Sequence, residues 1–131
     1  MKPTFNFILY ACLLGVALTS QATEKIYSAS ISSNGTIEAQ SPKWIETVSH
    51  SIDENYAATY NINFIRGTFK KQPEFCIVSI NDQSSFDAAL YGVAKLGGKP
   101  DEKQVTVISR LVGDDRASSD FAMSYYLICK G

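Results

Sequence analysis

Histidine and tryptophan each occur once in this 131-residue chain, as His50 and Trp44. A lone histidine leaves little material for a zinc site, which draws three or four ligands from Cys, His and carboxylate side chains. It also leaves acid–base catalysis with one candidate, and no Gly-x-Ser-x-Gly elbow or comparable nucleophile context accompanies it. Charge is sparse, at 19 %, and balanced, with 12 basic against 13 acidic side chains. A general nucleic-acid binder would carry a strong basic excess. Past residue 22 no hydrophobic run reaches the length of about 20 residues that a bilayer span requires. Internal repeats, low-complexity tracts and linkers are missing too. These absences give the expectation of a non-catalytic protein without cofactor, metal, nucleic-acid partner or membrane span.

What is present begins at the front. Lys2 supplies a positive start, and Phe5 to Leu18 is apolar apart from Asn6. Ser20-Gln21-Ala22 follows with small residues where a signal peptidase reads them. The pattern is that of a secretory signal peptide, cleaved near Ala22, and the apolar run is short for a membrane span. The reading therefore divides the chain into a signal peptide, residues 1–22, and one domain, residues 23–131, secreted or periplasmic. Without Lys2 the domain holds 11 basic against 13 acidic residues, a net charge near −2. Its 109 residues suffice for one core, with about two-thirds of the unfolded surface buried.

The signal also changes the cysteine arithmetic. Cys12 leaves with the apolar run, and Cys76 and Cys129 remain as an even pair in an oxidising compartment. A Cys76–Cys129 disulfide is expected. The alternatives are two buried thiols, or a lipidated Cys12, against which Tyr10 stands where a lipoprotein signal wants a small residue.

Alternation dominates the rest. Tyr60, Ile62 and Phe64 oppose Thr59, Asn61 and Asn63; Val105, Val107 and Leu111 oppose Thr106 and Arg110. Phe121 through Cys129 is aromatic and branched, with Phe121, Met123, Tyr125, Leu127 and Cys129 on one side. Period 2 over five to nine residues is the pattern of half-buried strands. Asn34-Gly35, Arg66-Gly67, Gln72-Pro73, Gly97-Gly98 and Gly113-Asp114 punctuate them at turn spacing. Ser85–Leu96 reads two ways. Ser85 suits a helix N-cap with Phe86, Leu90 and Val93 on one face; a strand with Ala89, Tyr91 and Val93 on one face is preferred, because its neighbours are strands. The expected fold class is all-β, a two-sheet antiparallel β-sandwich of jelly-roll type with one disulfide.

Asn34-Gly35-Thr36-Ile37, Ser41-Pro42-Lys43-Trp44-Ile45, Tyr60-x-Ile62-x-Phe64-x-x-Gly67-Thr68-Phe69, Pro73-x-x-Cys76 and Leu127-Ile128-Cys129-Lys130-Gly131 together give residues 27–131 a resemblance. The domain resembles small bacterial and phage β-sandwiches at the tips of fibres, which are similar to the trimeric jelly-roll heads of complement and tumour-necrosis-factor proteins. The sequence carries no Gly-X-Y repeat of the kind that forms their stalks. The resemblance implies a recognition or adhesion module, self-associating as a homotrimer, that binds a glycan or a protein surface.

The candidate contact residues follow from chemistry. Arg66, Lys70 and Lys71 form the one basic cluster and suit a sulfated glycan or another anionic surface, or else a solvated edge. Trp44 suits sugar stacking or a protein hot spot if exposed, and a core anchor if buried. Asp114, Asp115 and Arg116 crowd one loop, where the acidic pair with Asp120 is a weak calcium candidate without EF-hand spacing. His50 shares a strand face with Val48 and Ile52. Two rival functions stay open: a structural subunit or inhibitor that acts by strand pairing, and a small periplasmic hydrolase built on His50.

Overall fold

The computed structural model describes residues 23–52, 57–113 and 121–131. The signal-peptide expectation for residues 1–22 lies outside them, as do Asp114, Asp115, Arg116 and Asp120. Among the described residues the strands are β1 (Ile26–Ile31), β2 (Ile37–Ser41), β3 (Ile45–Ile52), β4 (Ala58–Phe64), β5 (Phe75–Ile80), β6 (Gly92–Leu96), β7 (Gln104–Leu111) and β8 (Tyr125–Lys130). One α-helix among the described residues, α1 (Phe86–Tyr91), precedes β6. No helix among these residues is long and apolar enough to cross a membrane.

The strands form two four-stranded sheets, ordered β2-β1-β8-β5 and β3-β4-β7-β6, and every pairing is antiparallel. The fold is therefore the all-β two-sheet sandwich that the alternation implies, compatible with a jelly-roll-like domain. Alternation sets which face is buried. Tyr60, Ile62 and Phe64 of β4 meet Val105 and Val107 of β7 and, across the sandwich, Ile31, Tyr125 and Leu127. Ser109 is buried on the same inner face as Val105 and Val107, and its hydroxyl donates to the Phe121 carbonyl. A buried hydroxyl left unpaired there would cost about 1–3 kcal/mol.

The passage from one sheet to the other is fixed by Gln40. Its Oε1 accepts from the backbone N–H of Trp44 at 2.7 Å and of Ile45 at 2.8 Å. The chain thereby turns from β2 to β3 through a cis Ser41–Pro42 bond. Across the first sheet, Cys76 and Cys129 occupy facing positions of β5 and β8 and are joined as a disulfide.

Two local expectations are corrected. Ser85–Leu96 is not one strand but a helix followed by a strand. Ser85 Oγ accepts from Ala88 N at 3.0 Å and starts α1, and Ala88 is buried against Leu111, Phe121 and Met123. Gly92 then lets the chain leave the helix directly into β6: a Cβ there would lie 2.3 Å from the Ala88 carbonyl oxygen. Only the last half of the Phe121–Cys129 segment is strand. Phe121 and Met123 are buried as expected, yet they fill a small core under α1, and pairing begins at Tyr125.

Candidate functional site

Antiparallel connectivity sends the segments 23–25, 42–44, 65–74 and 97–103 and the terminal Gly131 to one end of the sandwich. The turn 32–36 and the α1 region lie at the other. The charge is divided unevenly between these ends. The described residues of the second end carry Asp82 and Asp87 and no Lys or Arg, whereas the first gathers most of the cations.

The centre of the basic end is the β4–β5 loop. Ile65 N–H donates to the Trp44 carbonyl at 2.8 Å, and Thr68 N–H closes a turn on the Ile65 carbonyl at 3.0 Å. Gly67 takes φ +86° at the third position of that turn, a backbone conformation that costs glycine little. Arg66 is thereby presented at the apex. Three residues on, Phe69 points inward and is buried. Its ring lies 4.8 Å from Tyr27, 4.9 Å from Phe64 and 6.1 Å from Trp44. Tyr27 Oη also donates to the Thr68 carbonyl at 3.3 Å. An aromatic plug therefore holds a loop whose flanking residues, Arg66, Lys70 and Lys71, are exposed.

Two clefts flank this plug. One, of about 380 Å³, is lined by Lys25, Tyr27, Thr68, Phe69, Lys70 and Lys71 among others. The second, of about 410 Å³, is lined by Phe64, Arg66, Phe69, Glu102 and Lys103, again with Gly67 between them. Among the described residues, Arg66, Lys70 and Lys71 make no ion pair. Lys130 differs: it lies 2.9 Å from Glu74 and 3.0 Å from Glu24, and those carboxylates hold its pKa above the ordinary lysine value. Asp101 is also engaged, its Oδ1 accepting from the backbone N–H groups of Lys103 and Gln104 at 2.7 Å each. The acidic groups at this end are thus largely committed to partners of their own, and the cations around the loop are not.

Apart from Asp114, Asp115 and Arg116, which lie outside the described residues, each sequence candidate has a place. Arg66, Lys70 and Lys71 share one loop at the basic end. Trp44 is fully buried beneath that loop, and its Nε1 donates to the Ser28 carbonyl at 2.9 Å. Its ring is a core anchor there and offers no face to a ligand. His50 is exposed at the edge of the second sheet, stacked on Tyr60 at 5.7 Å. At the opposite end, Asp82 accepts from Ser84 N and Ser124 N, and Asp87 lies in the first turn of α1. No group of three His, Cys, Asp or Glu side chains among the described residues is arranged to hold a metal.

Lys25 and Lys103 join the site although the sequence did not single them out. They stand at the start of β1 and just before β7, far apart in the chain. Their common end emerges only once both strands are known to begin there. No family model, curated protein or solved structure matches this chain.

Proposed function

We propose that this protein is a secreted, non-catalytic recognition module whose basic loop end binds an anionic glycan. The observation that supports the reading is the pairing of a held loop with free charge: Phe69 and Tyr27 hold the loop, and Arg66, Lys70 and Lys71 project from it without ion-pair partners among the described residues. A ligand meeting a held loop loses less affinity to ordering than one meeting a loose loop. Guanidinium and ammonium donors suit sulfate and carboxylate groups, and two clefts beside the loop admit the neighbouring sugar rings.

Binding to an immobilised sulfated polysaccharide, heparin being the probe, tests this. Each exposed cation contributes up to about 1 kcal/mol. Arg66→Ala/Lys70→Ala/Lys71→Ala is therefore expected to lose roughly 30- to 100-fold in affinity. Wild-type binding is expected to weaken as salt rises. Binding that survives the triple substitution, or that ignores salt, rejects the basic loop as the site.

A further inference from the structure

The outer faces of the two sheets differ in chemistry. That of the second sheet is polar: Thr47, Asn63, Asn61 and Thr106 lie on it, paired across strands by hydrogen bonds of 3.0 Å. On that of the first sheet, large apolar side chains stand beside small ones, most of them serines. Phe75 and Ile77 of β5 with Tyr126 and Ile128 of β8 form a ridge; Ile77 is 56 % and Tyr126 53 % exposed. Beside it, Ser28 and Ser30 of β1 with Ala39 and Ser41 of β2 form a groove of about 260 Å³. The charges at the margin are occupied. Lys130 is held by Glu24 and Glu74, and the Glu38 carboxylate accepts from the Ser30 hydroxyl at 3.0 Å.

We propose that this face is the interface between two copies of the chain, related by a twofold axis that runs along the strands. The strand order carries the argument. Rotation about an axis lying between β1 and β8 sets β2-β1-β8-β5 against β5-β8-β1-β2. Each ridge then lies over the other copy's groove, Ile77 against Ser41, Ile128 against Ser28 and Tyr126 against Ser30. A self-complementary patch of this kind is what an isologous dimer requires. A threefold assembly would instead join two different patches and could not bury this whole face against itself. The size of the face sets the strength. Four strands about 4.8 Å apart and six residues long cover roughly 400 Å² in projection. Two such faces bury about 1,000 Å² once side-chain relief is counted, at the low end for specific interfaces. The dimer is therefore a concentration-dependent one.

Sedimentation velocity on the purified chain tests this from about 1 µM to about 500 µM, a range suited to a small interface. The mass is expected to move from one chain to two. Ile77→Lys and Ser41→Glu, both at exposed positions, are each expected to hold the chain at the mass of one while its circular dichroism matches the wild type. An equimolar mixture of the two variants is expected to restore the two-chain mass, because the new lysine and glutamate face each other across the twofold. Thr47→Lys, on the opposite sheet, is expected to leave association unchanged. One-chain mass at every wild-type concentration overturns the proposal and leaves the face to a different protein. Three-chain mass, an Ile77→Lys variant that still associates, loss of association in Thr47→Lys, or a mixture that stays at one chain overturns it equally.

Discussion

Cys76 and Cys129 face each other across the β5–β8 ladder, their Cα atoms 4.1 Å apart and 53 positions apart in sequence. β8 lies inside its sheet, paired to β1 on one side and β5 on the other. The bond therefore secures the last strand of the chain at the middle of the fold. Closing a loop of that length removes unfolded-state freedom worth on the order of 4 kcal/mol in the chain-entropy model. That is a large share of the roughly 5–15 kcal/mol that stabilises a domain of this kind.

Cys76→Ala/Cys129→Ala is accordingly expected to unfold at a much lower urea concentration, with a loss of about 4 kcal/mol. Wild-type protein treated with a reductant is expected to behave like the variant. Equal midpoints for oxidised, reduced and doubly substituted protein would remove the disulfide from the account of stability.

Tyr60 and Tyr125 give a second expectation, in alkali. Their rings meet edge-on at 4.9 Å in the core. Tyr60 Oη donates to the Ser33 carbonyl at 2.7 Å, while Tyr125 Oη is buried without a hydrogen-bond partner among the described residues. Burial, above all, pushes both phenols above their ordinary value of 10.0. For Tyr60 the bonds to Ser109 and Met123 work against that rise; for Tyr125 the neighbouring Tyr60 adds to it. A folded pKa above the unfolded one means the stabilisation is whole below about pH 10 and declines as pH climbs from there toward the folded values. At pH 7, Tyr125→Phe is expected to be neutral or to stabilise by up to about 1 kcal/mol, since it removes an unpaired hydroxyl, and Tyr60→Phe to cost about 1 kcal/mol. Above pH 10 the Tyr125→Phe variant is expected to lose stability less steeply than the wild type. Urea titrations at pH 7 and pH 10.5 check both statements.

The sandwich was legible because period 2 is a strong signal where one strand face is buried, as in Tyr60-Asn61-Ile62-Asn63-Phe64. The disulfide was legible from the cysteine count once Cys12 was set aside with the apolar stretch read as a signal. The helix was legible only as the less favoured reading of Ser85–Leu96, because α1 is only six residues long. Its formation depends on Ser85 as a cap, on Gly92 as an exit, and on a pocket for Ala88 made by residues from β7 and the segment before β8. No local pattern contains that pocket. The basic loop was visible as Arg66, Lys70 and Lys71. Its support by Tyr27, and its extension to Lys25 and Lys103, needed strand directions that separate segments do not reveal. Trp44 read as a contact if exposed and a core anchor if buried; the choice is made by Gln40, which turns the backbone where the indole enters the core.

Asp82 supplies the acid counterpart. Its Oδ1 accepts from Ser84 N at 2.8 Å, and its Oδ2 accepts from Ser124 N at 2.9 Å. One carboxylate thus ties the approach to α1 to the approach to β8, across 42 positions of sequence. Burial opposes its charge, but the donors from Ser84 and Ser124 outweigh it and leave the pKa below the ordinary 3.8. With a folded pKa depressed below the unfolded one, the stabilisation is whole above about pH 5 and drains away as pH falls through the carboxylate range. Asp82→Asn keeps the shape and one acceptor but presents an amide where a backbone donor now meets an oxygen. It is expected to cost about 1–3 kcal/mol at pH 7 and much less at pH 3, where the wild-type carboxylate is itself being neutralised. The two stability curves, measured by urea titration from pH 7 to pH 3, should therefore converge on acidification. Curves that stay parallel would show that the Asp82 charge does not hold these two segments together.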